Sequence, residues 1–69
     1  MPLSVAEHGK NFEIKRINGK DETRRFLETL GFVEGSVIRV ISKMGGNLIV
    51  SVKDSRIAID KTMANRVMV

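Results

Sequence analysis

Apolar and polar residues alternate along much of the chain, as they do in β-strands that bury one face. In residues 11–17, NFEIKRI, the two leading apolar residues stand between polar and charged ones. Ile17 falls out of this alternation, so we expect a bulge or the end of the strand near Arg16. The dipeptide Asn18-Gly19 then signals a turn.

The next interval, DETRRFLETLG, has the spacing of a short amphipathic helix. Asp21 is a good N-cap because its carboxylate accepts a free backbone N–H at the positive end of the helix dipole. Gly31 predicts a left-handed helix end of the Schellman type, in which Phe32 packs back on Leu27. A helix of about ten residues is not stable alone in water. Its apolar face must therefore pack on the rest of the protein, and that face consists of Phe26, Leu27 and Leu30.

Three strands are predicted after the helix, at residues 36–42, 47–53 and 56–59. Lys43-Met44-Gly45-Gly46 is a hairpin signal, and Asp54-Ser55 predicts a second tight turn.

Each end of the chain carries a signal for a single helical turn. Ser4 and Glu7 have the spacing of a capping box, and Gly9 ends that turn. Near the other end, Asp60 caps a turn over residues 61–65, before a last strand, RVMV.

This order predicts a mainly β fold with about five strands, one α-helix between the first and second strands, and short helical turns near both ends. Such a set of elements suits a small barrel whose open side or end is covered by the helix. The length of 69 residues predicts one domain over residues 1–69.

The composition narrows the function classes. The chain has no Cys, Trp or Tyr, and its three Phe residues fall at positions assigned to the core. Barrels that bind proline-rich peptides or stack nucleic-acid bases would lack their main aromatic contacts here. The net charge of +4 permits an anionic partner, but twelve basic residues are interleaved with eight acidic ones, which is typical of a mixed solvated surface. The start of the sequence lacks a signal peptide pattern and no apolar run spans a bilayer, so we expect a cytoplasmic protein without membrane insertion.

No arrangement of residues points to catalysis, so an enzyme is not predicted. The single histidine, His8, stands beside Glu7, and these two are the weak candidates for metal ligands. A metal site needs three or four ligands, and no further ligand spacing appears near them. An ordinary surface histidine is the simpler interpretation, and no metal or other cofactor is predicted.

One positive signal is a strand that is apolar on both faces. In SVIRVIS, Val37 and Ile41 stand on the face opposite Ile38 and Val40, and in the next strand Ile49 emerges on that second face. Either the helix or the chain ends cover these residues, or they form a docking patch for another protein.

Taken together, these segments resemble the FeoA family, the small cytoplasmic component of bacterial ferrous iron uptake. The similarity runs over nearly the whole chain. It is carried by LSVAEHGKNFEIKRING, by the more specific RRFLETLGFVEGSVIRVISK, and by SRIAIDKTMANRVMV. Val33-Glu34, Asn47 and Asp54 depart from the family pattern, all of them in turns.

The resemblance implies an SH3-like barrel and a partner, the cytoplasmic part of the membrane transporter FeoB. It implies support or regulation of that transporter by contact. The sequence leaves open a weak homo-oligomer. We predict that the partner surface contains Val37, Arg39, Ile41, Ile49, Arg24 and Arg25, and that four glycines shape the turns: Gly31, Gly35, Gly45 and Gly46.

Two other functions stay open at this stage. The chain could be a basic small-barrel module that binds nucleic acid. Alternatively, it could be a metal-sensing SH3-like module related to the C-terminal domain of iron-dependent repressors.

Overall fold

The computed structural model describes residues 1–19 and 21–69. A 3₁₀ turn, Leu3–Val5, precedes all other elements. In the described ranges six strands form two antiparallel sheets. The strands are β1 Asn11–Glu13, β2 Arg16–Ile17, β3 Val37–Met44, β4 Asn47–Val52, β5 Ser55–Asp60 and β6 Val67–Met68. The helices are α1 Glu22–Thr29 and α2 Lys61–Ala64.

The strands are ordered β1-β3-β4-β5 in the larger sheet and β2-β6 in the smaller one. The predicted mainly β class and small SH3-like barrel are confirmed. The helix lies before the β3-β4-β5 meander, as expected. The strand count differs by one, because the single strand predicted over residues 11–17 is two strands in two different sheets.

The chain passes from one sheet to the other between β1 and β2. The Ile14 N–H donates to the Ser36 carbonyl at 2.9 Å, and the Lys15 N–H donates to the Met68 carbonyl at 2.7 Å. Two successive residues thus bond to different sheets. The break predicted near Arg16 is real, and it lies slightly earlier than predicted.

The core is apolar and is enclosed by the two sheets and α1. Alternate residues of β3 and β4 point into it, as a strand with one buried face requires. The buried core side chains are Leu3, Ala6, Ile14, Ile17, Leu27, Phe32, Ile38, Val40, Leu48, Val50, Val52, Ile59, Ala64, Val67 and Val69.

Helix α1 begins and ends as predicted. Asp21 accepts a hydrogen bond from the Arg24 N–H at 3.2 Å. Gly31 has φ 101°, its N–H donates to the Glu28 carbonyl at 3.0 Å, and the Phe32 N–H donates to the Leu27 carbonyl at 3.1 Å. This is the Schellman pattern, and both Leu27 and Phe32 are buried.

The predicted apolar face of α1 is wrong at one residue. Leu27 is fully buried and Leu30 packs partly against the core, but Phe26 is 51% exposed. Successive helical residues point about 100° apart, so a helix that points Leu27 straight into the core leaves Phe26 on its flank, with Leu30 between the two directions. The prediction that all three Phe residues lie in the core is therefore wrong.

The predicted capping box near the start is also wrong. Ser4 lies inside the 3₁₀ turn, whose N-cap is Pro2 and has no side-chain cap, and the Ser4 hydroxyl donates to Asn65 Oδ1. Glu7 forms an ion pair with Lys10 instead. The predicted cap at the other end is confirmed, because the Asp60 carboxylate accepts a hydrogen bond from the Met63 N–H at 2.8 Å.

Two tight turns connect β3, β4 and β5. The first is Gly45-Gly46, with Gly45 at φ 61°; it is shorter than the predicted Lys43–Gly46 segment, because Lys43 and Met44 belong to β3. The second is Lys53-Asp54 and not the predicted Asp54-Ser55, since Ser55 already pairs with Val52. Lys53 and Asp54 have φ of 48° and 64°, the pair of left-handed conformations that a type I′ hairpin requires.

Candidate docking surface on the outer sheet face

The larger sheet has an outer face, turned away from the core. Directly paired residues of neighbouring strands point to the same face. The register therefore defines a row across the four strands that we call the arginine row: Asn11, Arg39, Ser51 and Arg56. Glu13 and Val37 form a neighbouring pair on the same face. On the other side of the arginine row lie Ile49 and its partner Ala58.

The predicted patch residues lie on or near this face, with different exposures. Val37 is 57% exposed and Arg39 is exposed, whereas Ile41 and Ile49 are half-buried. The alternative that the helix or the chain ends cover these apolar residues is therefore wrong for Val37.

Ile41 lies at an irregularity that the alternation pattern did not predict. The register passes from Val40 opposite Val50 to Ser42 opposite Ile49, which leaves Ile41 without a cross-strand partner. This is the arrangement of a β-bulge. Beyond the bulge, Ser42 takes the outer-face position beside Ile49.

A groove crosses the outer face beside the turn after β4, with a volume of about 410 Å³. Two of the predicted residues, Val37 and Arg39, line it. The other lining residues are Asn11, Ser36, Ser51, Lys53 and Asp54. Sequence reasoning missed these polar residues, although the alternation in β4 already places Ser51 on the side opposite its buried neighbours.

The arginine pair on α1 is not a free cationic surface. Arg24 is half-buried, donates from Nη1 to the Gly19 carbonyl at 3.1 Å, and lies 3.6 Å from Glu28. Arg25 is exposed. Arg24 thus helps to position the segment before the helix. It is Arg25 that has the exposure expected of the predicted partner surface.

A second ion pair connects α1 to the end of the chain. Arg66 Nη1 lies 2.8 Å and 2.9 Å from the two carboxylate oxygens of Asp21. This hydrogen bond, together with the one from the Arg24 N–H, holds the pKa of the Asp21 carboxyl below its ordinary value of 3.8. One carboxylate therefore caps α1 and binds the loop after α2.

The two weak metal candidates do not form a site. His8 is exposed, and its backbone bridges to Val40 of β3. Glu7 is 2.9 Å from the Lys10 ammonium, whose hydrogen bond and charge lower the pKa of Glu7. Within residues 1–19 and 21–69, no group of three His, Cys, Asp or Glu side chains is placed to hold a metal ion.

In the part of the chain that the structure describes, no helix is long enough and apolar enough to cross a bilayer.

Comparison with known proteins gives consistent matches over the whole chain. The family model of the FeoA domain matches residues 1–69. A protein of Methanocaldococcus jannaschii described as a putative Fe(2+) transport protein A is 34% identical over 68 residues, which cover 99% of this chain and 83% of the relative.

Solved structures agree in fold. The crystal structure of an iron uptake regulatory protein, FeoA, aligns with a TM-score of 0.90 and 33% identity, covering 99% of this chain and 92% of the other. The FeoA of Stenotrophomonas maltophilia in complex with zinc aligns with a TM-score of 0.87 and 30% identity, covering 99% of this chain and 87% of the other. That protein is described as a procaryotic SH3 domain protein possibly acting as a ferrous iron transport activating factor. With the family model and a relative above 30% identity both spanning the chain, this protein belongs to the FeoA domain family, a family associated with ferrous iron transport.

Proposed function

We propose that residues 1–69 act as a single FeoA-like domain in the cytoplasm. It is a non-catalytic accessory protein of ferrous iron uptake and acts by contact with the cytoplasmic part of a FeoB-type transporter. Membership of the FeoA family supports the role in iron transport. The observation that carries the contact is the outer sheet face, where the apolar Val37 is exposed beside a groove lined by Arg39.

This face combines two properties of a protein interface. Val37 offers apolar area whose removal from water favours association, at roughly 25 cal/mol per Å². Arg39 offers a planar guanidinium that can pair with a carboxylate through two hydrogen bonds, which is why Arg is favoured at interfaces. Ile41 and Ile49 add apolar area at one side, although both are half-buried.

The test is a change of one exposed valine, with a second exposed valine as its control. Val37→Asp should weaken binding to the transporter's cytoplasmic domain more than tenfold, about 1.4 kcal/mol. Val5, which is 61% exposed in the 3₁₀ turn, provides the matched change. Val5→Asp should leave the affinity unchanged. Melting curves of both variants establish that they are folded. Equal affinity of two folded variants would contradict the proposal.

The rival function is binding to nucleic acid. The exposed Phe26 beside Arg25 supplies one aromatic surface that the sequence had assigned to the core. Nonspecific single-strand binding normally uses several aromatic side chains in a row along a cationic groove. Titration with an oligonucleotide at physiological salt decides between the two functions. Binding that weakens steeply with added salt and is lost in Phe26→Ala would favour the rival.

We further propose that the protein has no resident metal cofactor and that ferrous iron is the cargo of the transporter. The Lys10 ammonium competes with any metal for Glu7, and His8 alone is an incomplete ligand set. Calorimetric titration with Fe²⁺ or Zn²⁺ should give only weak binding that His8→Ala leaves unchanged. Submicromolar binding that disappears in His8→Ala would contradict this.

A further inference from the structure

We propose that the groove around the arginine row binds the carboxylate side chains of an acidic peptide segment that also carries apolar residues. This deepens the proposed function and rests on it only for the identity of the protein that supplies the segment.

The arginine row places two guanidinium groups on either side of a small residue. Arg39 of β3 and Arg56 of β5 are both paired with Ser51 of β4. Adjacent strands are about 4.8 Å apart, so the two arginine backbones are separated by about 10 Å. Ser51 lies between them and lines the groove. This spacing leaves room for a carboxylate above the serine, within reach of both long side chains.

Arg39 is already oriented on the sheet. Its Nε donates to Asn11 Oδ1 at 3.0 Å, which fixes the side chain through a neutral acceptor. The two terminal nitrogens therefore keep their donors for a ligand. Among residues 1–19 and 21–69, no acidic side chain forms an ion pair with Arg39, Arg56 or Lys53. In other parts of the molecule, Arg24, Arg66 and Lys10 are each paired with a carboxylate.

The charge around the groove is positive but not uniform. Arg39 and Lys53 line it, and Arg56 extends the row to the edge strand. Asp54 lines the end beside the turn, and Glu13 pairs with Val37 on the β1 side. A carboxylate should therefore bind at the position of Ser51, between the two arginines. It should not bind at the turn, where Asp54 repels it.

The groove fits a peptide better than an isolated anion or a nucleic acid. The groove is open, and its volume of about 410 Å³ is larger than one carboxylate fills. Val37 gives it an apolar border that would contact an apolar side chain next to an acidic one. None of the lining residues is aromatic, so bases would have no stacking surface there.

The test uses a short peptide of alternating aspartate and leucine with blocked ends. The same peptide with asparagine for aspartate is the matched control ligand. In an NMR titration of the full chain at low salt, the aspartate peptide should shift the backbone amide signals of Arg39, Ser51 and Arg56. The asparagine peptide should bind at least tenfold more weakly, because charge-assisted hydrogen bonds are lost.

Protein variants give the second half of the test. Arg39→Gln with Arg56→Gln should lower the affinity for the aspartate peptide at least tenfold. Arg16→Gln, which removes the same type of charge from the exposed surface of β2, should not change it. Ser51→Asp places a carboxylate between the two arginines and should abolish peptide binding while the melting temperature is kept or raised. This variant preserves the test if the double change affects folding.

Several results would overturn the inference. These are equal binding of the two peptides, signal shifts confined to another surface, undiminished binding by folded Ser51→Asp, and tighter binding of an oligothymidine to the same residues. Comparison with the transporter domain separates the two proposals. If the aspartate peptide does not bind the arginine row while Val37→Asp weakens binding of that domain, the inference fails and the proposed function stands. If the peptide binds the row and the domain does not bind at all, the proposed function fails.

Discussion

Replacement of Gly31 tests the helix ending that positions Leu27 and Phe32 in the core. At φ 101°, Gly31 is in a conformation that costs an L-residue about 1–2 kcal/mol. Any residue other than Gly also makes the unfolded chain less flexible, which stabilises the folded state by about 0.4–1 kcal/mol. A Cβ at position 31 would lie 3.4 Å from Lys53 Cδ and Cγ, an ordinary contact with a flexible side chain. Strain in the backbone, and not a collision, therefore dominates.

Gly46 provides the matched control. Its φ lies outside the left-handed region, and a Cβ there would meet no atom within 4 Å. Gly46→Ala gains the same unfolded-state term without the strain, so Gly31→Ala should be less stable than Gly46→Ala by about 1–2 kcal/mol. For a domain of this size each kcal/mol moves the melting temperature by about 4–8 °C. Thermal melts of the two variants measure this difference. Equal melting temperatures would refute the claim that the Schellman ending constrains Gly31.

Three other changes probe the fold. Leu27→Ala should lower the free energy of unfolding by roughly 2–5 kcal/mol, because it leaves a cavity at a fully buried position. Phe26→Ala should lower it by under about 1 kcal/mol in the same denaturant titration. Similar losses for the two variants would contradict the assigned helix face. Lys53→Asn should stabilise the protein by about 0.5–1 kcal/mol, since Asn tolerates the left-handed conformation better than Lys, and an unchanged melting temperature would argue against strain in this turn. The pKa of Asp21 is lowered by Arg66, so this carboxylate contributes stability that is complete above pH 3.8 and is lost as the pH falls through the folded-state pKa. Asp21→Asn keeps a good N-cap but removes the charge, so its stability should decline less than the wild type's between about pH 5 and pH 2, and parallel declines would exclude the linkage.

Features that depend on neighbouring residues could be predicted from the sequence. The end of α1 is encoded by Gly31 followed by an apolar residue, and the cap at Asp60 by a carboxylate before a turn. Both involve hydrogen bonds that span only a few residues. Phe26 shows the limit of the same reasoning, because a periodic pattern gives the spacing of apolar residues but not which of them meet the core.

Features that depend on distant partners could not be predicted. The transfer of the chain between sheets at Ile14 and Lys15 is decided by carbonyl groups of Ser36 and Met68, far along the sequence. The arginine row likewise depends on the register of four strands. That register includes a bulge at Ile41, which shifts which outer residues lie side by side. The candidate site therefore needed the structure, although Val37 and Arg39 were already identified by the pattern of β3.

The pairing of β2 with β6 has a consequence for the order of folding. Ile17 and Val67 are opposite each other although most of the chain lies between them, whereas β3, β4 and β5 are joined by two-residue turns. Local hairpins form before contacts that must close a long loop. The meander is therefore the expected nucleus, and β6 closes the barrel late. Destabilising changes at Val67 would then shorten the lifetime of the folded protein while leaving its rate of folding nearly unchanged.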